Sequence, residues 1–203
     1  MQELLMCEFC KSEYEDPKNR RFHAQPISCP KCKINVFLKN LKGEILAKDQ
    51  EAFMQSAKFL KEGKILAIKG MGGFHLMCDA FNEEALKTLR LRKNRPKKPF
   101  ALMCKDLQSA KELAFIDEKE EALLGGVLAP IVILRAKKAF SLIAPDVDKI
   151  GIMLAYTPLH LLLFEYFKGS LVATSANLSG ESIIKDEFCL LYTSPSPRDR
   201  SLS

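Results

Sequence analysis

With 203 residues, 47% of them apolar, the chain can hold one medium domain with its own core and a small module besides. Its net charge of +6 is local in origin, because Lys87 to Lys98, KTLRLRKNRPKK, holds seven Lys or Arg in twelve residues and no acidic one. No apolar run reaches membrane-spanning length and the start, MQELLMCEFC, lacks the regions of a secretory signal, so no membrane role is expected and the expected location is cytoplasmic.

Seven cysteines, four of them in two C-x-x-C pairs, argue against a disulfide framework. Cys7 and Cys10 form the first pair and Cys29 and Cys32 the second, with eighteen residues between them. One tight turn can aim both sulfurs of a pair at one ion, and a loop of about 15–20 residues can bring the second pair back to close a tetrahedron. The expectation is a structural zinc site on Cys7, Cys10, Cys29 and Cys32, closed to substrate, in a module too short to bury a core of its own. His23 could replace a sulfur, but four thiolates suffice. Arg20, Arg21 and Phe22 could touch nucleic acid or an anionic ligand, or could form a solvated loop docked on a neighbouring domain.

After the module, NVFLKNLKGEIL reads as a hairpin or linker turning at Lys42-Gly43, and the boundary is placed at 43. Asp49 is expected to cap a helix whose stripe is Phe53, Ala57 and Leu60 and whose end is Gly63. KILAIKG reads as a buried strand, followed by the glycine loop KGMGGFHLMCDA. A helix opened by Asn82 packs Ala85, Leu86, Leu89 and Arg90, and Pro96 leaves its basic end in a loop. FALMC is a strand, DLQSAKELA and DEKEEALL are Asp-capped helices, and APIVILRAK, IGIML and SLVATS are further strands. Pro158 begins a helix in the tolerated first-turn position. Strands alternating with helices predict an α/β fold, a twisted mixed sheet flanked by helices, preceded by the four-cysteine module. The domains are therefore read as 1–43, 44–188 and a non-native, unstructured Ser/Pro/Arg-rich tail at 189–203.

Three segments could carry chemistry. In KGMGGF, the turn after a strand, Lys69, Gly72 and Gly73 could cradle an anion with backbone N–H groups, or form an ordinary tight turn. In RKNRPKKPF, Lys93, Arg95, Lys97 and Lys98 suit a triphosphate or nucleic-acid backbone, or a solvated basic face. In VATSANLSGE a buried strand runs out into Thr174, Ser175, Asn177 and Ser179, groups able to hold phosphate, ribose or carboxylate, or simply to make a loop. No serine has an evident His and Asp partner, which argues against a hydrolase triad.

The order and wording of KGMGGFHLMCDA, RKNRPKKPFALM, IGIMLAYTPLHLLL and TSANLSGE resemble the YrdC/Sua5 adenylate-forming family. With the finger EYEDPKNRRFHAQPISCPKC in front, the chain over about residues 3–188 resembles more narrowly the middle of the hydrogenase-maturation carbamoyltransferase family, HypF. The resemblance implies that carbamate, derived from carbamoyl phosphate, condenses with ATP to give carbamoyl-adenylate and pyrophosphate, magnesium accompanying the ATP. It implies that Lys93 and Arg95 hold the phosphates and act in catalysis, and that Ser175 and Asn177 hold nucleotide phosphate and sugar, beside Lys69, Gly72, Gly73, His75, Lys98 and Thr174. His75 either orders the carbamoyl group or fills a polar gap in the core.

Free-standing relatives that make threonylcarbamoyl-adenylate for tRNA carry a PTETVYGL-like stretch where this chain has KGMGGFHL, a change that favours the smaller carbamate. The family's acylphosphatase and Kae1-like parts, through which a HypE-type acceptor protein would be reached, are not recognised, and Ser182 replaces a customary proline. Adenylate formation rather than the complete transfer is therefore the expectation. A rival reading is a zinc-ribbon protein binding RNA, double-stranded RNA included, through Arg20, Arg21 and Lys93 to Lys98.

Overall fold

The computed structural model describes residues 6–24, 29–177 and 180–192. Helix α1 (Glu8–Glu15) opens the chain, and a hairpin of β1 (Phe37–Lys39) and β2 (Ile45–Lys48) leads into α2 (Asp49–Lys61). The positive φ of Gly43, 82°, lies in the turn of this hairpin, so β1 and β2 pair across the expected division at 43. The elements that follow are β3 (Leu66–Lys69), β4 (Phe74–Asp79), α3 (Glu83–Arg92), β5 (Ala101–Cys104), α4 (Leu107–Leu113), β6 (Ala114–Phe115) and α5 (Glu118–Leu124). The chain then forms β7 (Val132–Ala136), β8 (Lys149–Leu154), α6 (Pro158–Tyr166), β9 (Leu171–Ser175) and α7 (Glu187–Tyr192).

Seven strands form one mixed sheet in the order β3-β4-β9-β5-β8-β7-β6, in which only β5 and β8 run parallel. Side chains alternate across each strand, so the sheet has two apolar faces. Leu76, Cys78, Leu102 and Val172 join Leu86 and Leu89 of α3, Ala110 of α4 and Leu124 of α5 in one cluster. Met77, Met103, Leu171 and Ala173 meet Phe53 and Leu60 of α2 and Leu163 and Phe164 of α6 in the other. Burying Phe53 and Leu60 contributes about 2 kcal/mol each. Helix starts follow the expected chemistry: Asn82 accepts from the Ala85 N–H at 3.0 Å, Asp106 from Ser109 at 2.8 Å, and Asp117 forms a capping box with Glu120. No described helix is long and apolar enough to cross a membrane.

Four expectations are corrected. Asp49 does not cap α2. It sits at φ 49° and turns its carboxylate back to Lys33 Nζ at 2.6 Å and the Val36 N–H at 3.1 Å, tying the cysteine module to the helix. Strand β3 lies at the sheet edge and buries only Ile68. The stretch read as part of a glycine loop, FHLMCD, is the inner strand β4, paired on both sides. Cys189 to Tyr192, expected to start an unstructured tail, are the last residues of helix α7, and the rest of that tail lies outside the described residues.

A returning segment closes the end of the sheet between β4 and β9. The Phe74 N–H donates to Ile184 O at 2.7 Å, Ile184 N–H to Ala176 O at 3.0 Å and Ala176 N–H to Phe74 O at 2.8 Å. Gly73 makes room for it, at φ 146° and with Ile184 O only 2.7 Å from where a Cβ would stand, whereas Gly72 faces open space. Gly73→Ala is expected to cost about 2 kcal/mol, a fall in melting temperature of roughly 4–8 °C at this chain length. Gly72→Ala should stay within about 0.5 kcal/mol of the parent. Equal melts for the two variants would remove the packing argument.

Candidate functional site

In the N-terminal module, residues 6–24 and 29–39 bury a single side chain, that of Cys10. In place of a core stand four sulfurs within 4.8 Å of one another: Cys7 to Cys29 at 3.5 Å, Cys29 to Cys32 at 3.8 Å, and Cys32 to Cys10 at 3.5 Å. Zn–S bonds of about 2.3 Å give a tetrahedron with edges of about 3.8 Å, so the four thiolates fit a closed ion site. Backbone N–H donation from Cys32 and from Lys31, the latter at 3.3 Å, stabilises the Cys29 thiolate and draws it below the usual thiol range. His23 is exposed and stacks on Phe22 at 4.0 Å, outside the cysteine cluster. Arg21 pairs with Glu13 at 2.8 Å, so of the two arginines considered for nucleic acid one is already engaged.

The second site forms at the C-terminal end of β9, where the end of α3 crosses it. Lys93, the residue closing α3, sends its ammonium to Ser175 O at 3.0 Å, Asn177 O at 2.6 Å and Asn177 Oδ1 at 3.2 Å. Ser175 Oγ donates to the same Oδ1 at 2.7 Å, and Asn177 Nδ2 donates to Glu181 O at 2.7 Å. Arg95 Nη1 donates to Thr174 Oγ1 at 3.1 Å, while its other nitrogens hold the carbonyls of Lys98 and Pro99.

Arg90, read from sequence only as part of a packed face, shapes this loop. Its guanidinium reaches the carbonyls of Leu142 at 2.6 Å, Arg95 at 2.6 Å, Pro96 at 3.1 Å and Ile143 at 3.1 Å. Arg90 and Arg95 both lie against the buried Phe100 ring, at 4.7 and 4.8 Å from its centroid. Every acceptor given to Arg90, Lys93 and Arg95 is a neutral carbonyl, hydroxyl or amide oxygen, with no carboxylate among the described residues. Burial, with the Arg95 charge beside it, holds the Lys93 ammonium below its ordinary pKa, and burial does the same to Arg95. Three converging cations without a counter-charge among the described residues are an arrangement able to hold an anion.

The other sequence candidates divide. Thr174, Ser175, Asn177, Lys93 and Arg95 come together. His75 joins them by register, paired directly with Ser175 across β4 and β9. Lys69 lies over the Phe74 ring at 5.7 Å, at the turn of the β3–β4 hairpin. Gly73 is filled by Ile183 and Ile184, Gly72 is open, and Lys98 is exposed, lending the site its carbonyl. Ser179 lies outside the described residues. Two residues escaped the sequence reading, His160 and Tyr156, whose rings pack at 5.0 Å behind His75. Their only local signal was a polar residue inside the apolar run PLHLLLF.

Comparison with known proteins gives consistent findings. The Sua5/YciO/YrdC profile, described as telomere recombination, matches residues 58–191, and the HypF finger profile matches residues 6–38. The carbamoyltransferase HypF of Rhodobacter capsulatus is 47% identical over 181 residues, 89% of this chain and 24% of that protein. A crystal structure of T. kodakarensis HypF, 40% identical, superposes with a TM-score of 0.82 over 96% of this chain and 26% of that one. Full-length HypF in a phosphate- and nucleotide-bound form, 43% identical, gives 0.78 over 93% and 25%. The chain thus spans about a quarter of the length of these relatives.

Because the cysteine cluster replaces a core in the module, Cys29→Ser or removal of a bound ion by a chelator is expected to abolish amide-exchange protection in α1. The seven-stranded sheet should keep its own protection. Protection of α1 unchanged in Cys29→Ser would show that the module folds without the thiolate set.

Proposed function

The chain belongs to the Sua5/YciO/YrdC family and carries the finger of its HypF relatives, and from that premise we propose that it forms carbamoyl-adenylate from carbamate and ATP. The observation that carries the reading is the set of three cations at the end of α3 whose partners are all neutral. In the proposed step a carbamate oxygen attacks the α-phosphorus, the bond to the bridging oxygen breaks, and pyrophosphate leaves. Little covalent work falls to the protein, which must neutralise the departing charge and fix the line of approach.

Lys93 and Arg95 are the groups that hold the pyrophosphate. Their present acceptors, neutral oxygens, yield readily to phosphate oxygens, which bind the same N–H groups as charge-assisted hydrogen bonds. Ser175 and Asn177 hold the α-phosphate and ribose side, and Thr174 keeps Arg95 in place. Among the described residues no carboxylate accompanies the three cations, so magnesium would arrive with the triphosphate rather than on a protein ligand set. Zinc on Cys7, Cys10, Cys29 and Cys32 would be structural, since four sulfurs leave no open position. The physiological setting of the reading is hydrogenase maturation, with the carbamoyl group passed on to a cysteine of an acceptor protein.

The RNA-binding alternative loses support from the geometry of the same residues. Arg21 is ion-paired with Glu13 and Lys93 and Arg95 are half-buried at the end of β9, leaving Arg20, Lys97 and Lys98 as the exposed cations of that set.

ATP–pyrophosphate exchange with magnesium tests the reading. Exchange is expected with ammonium bicarbonate, which supplies carbamate at equilibrium, and not with bicarbonate alone. Exchange that requires threonine would transfer the chain to threonylcarbamoyl-adenylate chemistry. Lys93→Ala is expected to raise the KM for ATP about tenfold or more, the loss of one hydrogen bond to a charged group. An unchanged KM would remove Lys93 from the phosphate site.

A further inference from the structure

The two faces of the sheet are covered unevenly. On the face packed by α2 and α6, the buried cluster draws on β3, β4, β5, β8 and β9 and on no described residue of β6 or β7. Side chains alternate along a strand, so Ile131, Ile133 and Arg135 share that uncovered side with Phe115 of β6 and with Lys149 and Gly151 of β8. Ile131 and Ile133 are 54% and 69% exposed. Gly151, opposite Ile133, adds no side chain, and a Cβ there would stand 3.0 Å from Ile131 Cγ2.

The edge of β7 is open as well. Strand β6 spans two residues and pairs only with Arg135 and Ala136, so among the described residues no strand lies beyond Val132–Leu134. Unpaired edge of this kind is a template for an added strand. The charges beside it also lack a partner. Arg135 and Lys149 are direct cross-strand neighbours, both exposed, and neither joins an ion pair among the described residues. Asp146, which lines one cavity with Arg135, turns instead to Lys97 at 3.8 Å. Like charges directly opposite on one face destabilise a sheet. The Phe115 ring takes Arg135 at 5.5 Å and Lys137 at 5.6 Å, which gathers positive charge without neutralising it.

We propose that this open edge and face dock an extended, acidic segment of a partner protein, added to the sheet alongside Val132–Leu134. Its backbone pairs with β7, its apolar side chains lie beside Ile131 and Ile133, and its carboxylates meet Arg135 and Lys149. Charge complementarity selects this occupant. A second copy of the chain would bring a net charge of +6 and its own Arg135–Lys149 pair to the contact. An RNA strand would meet the cations and leave the two isoleucines and the backbone edge without partners. The surface stands apart from the carbamoyl-adenylation reading, because it lies on β6, β7 and β8 while Lys93 reaches the end of β9.

The probe is the peptide Ac-Val-Thr-Val-Thr-Glu-Glu-NH2, whose alternation puts two valines and one glutamate on one side. Titrated into the isotope-labelled intact chain at low ionic strength, it is expected to bind saturably and to protect amides of Val132–Leu134 from exchange. It should move the amide signals of residues 131–135 and 149–151, and the same peptide with Lys for Glu should do neither. Reversing both charges, Arg135→Glu with Lys149→Glu, is expected to weaken binding about tenfold. Ile133→Ser should weaken it about tenfold through lost apolar burial. Lys149→Glu alone removes the repulsion and should raise the melting temperature of the free chain by about 1–4 °C, showing that the variant is folded.

Absence of saturable binding, equal binding of the acidic and basic peptides, or protection confined to residues outside β7 and β8 would overturn the proposal. Displacement of the peptide by ATP would do so too, by placing the face in the nucleotide site. Tighter binding of poly(U) RNA at the same signals would make it a nucleic-acid surface, and the same shifts on concentrating the chain alone would assign it to a second copy. ATP–pyrophosphate exchange keeps the two readings separate. Exchange retained in the charge-reversed variant that has lost the peptide supports a distinct docking surface, and peptide binding without exchange in the parent chain sinks carbamoyl-adenylation alone.

Discussion

The structure around the candidate site depends on an electrostatic constraint: Arg90, Lys93 and Arg95 converge at the end of α3 with only neutral oxygens for partners. Pairing any of them with a carboxylate would stabilise the apo chain and quench the field that attracts an anion. Holding them with carbonyls instead costs desolvation, visible in the lowered pKa of Lys93 and Arg95, and offsets that cost by shaping backbone. The carbonyls of Arg95, Pro96 and Lys98 turn toward Arg90, and the loop from 95 to 100 takes its form from that guanidinium. Phe100, fully buried under both arginines, anchors the loop to the core beside β5. The same residues that would bind phosphate are thus the ones that build their own loop, which couples the site's geometry to the stability of α3.

The cysteine module is tied on by a second, smaller polar device. Asp49 gives its carboxylate to Lys33 and Val36, and its N–H donates to Val36 O at 2.7 Å, so one residue clasps the exit of the module. The Lys33 ammonium and the Val36 N–H hold the Asp49 carboxyl below the usual carboxylate range. At the far end of the chain Lys39 pairs with Glu187 at 2.9 Å, bringing α7 beside β1. A module whose described residues bury one side chain has little packing to position it, and these polar contacts do so instead.

What could be read in the sequence was what local chemistry decides. The two C-x-x-C pairs, the caps at Asn82, Asp106 and Asp117, and the proline opening α6 each rest on residues within a few positions of one another. The convergence of Lys93 and Arg95 on the end of β9 was legible only through resemblance, since 82 positions separate Lys93 from Ser175. Asp49 looked like a cap, and turned away because Lys33 and Val36 compete for its carboxylate. Strand β4 was hidden by its neighbours, KGMGG, whose glycines suggested a longer loop; the requirement that Ile183 and Ile184 pack over Gly73 is a contact no local pattern carries. His160 was masked for a related reason, because a histidine inside an apolar helix face reads as core until its distance from His75 is known.

Strand β9 divides the charged from the neutral polar groups at this end of the sheet. Successive side chains of a strand point to opposite faces. Thr174 therefore turns to the face of α3 and meets Arg95, while Ser175 shares the opposite face with its cross-strand partner His75. The strand keeps the cationic set and the imidazole pair apart, and it is burial that holds both imidazoles below their ordinary pKa. At the strand's end, Asn177 accepts from both Lys93 and Ser175, linking the two faces through one amide oxygen.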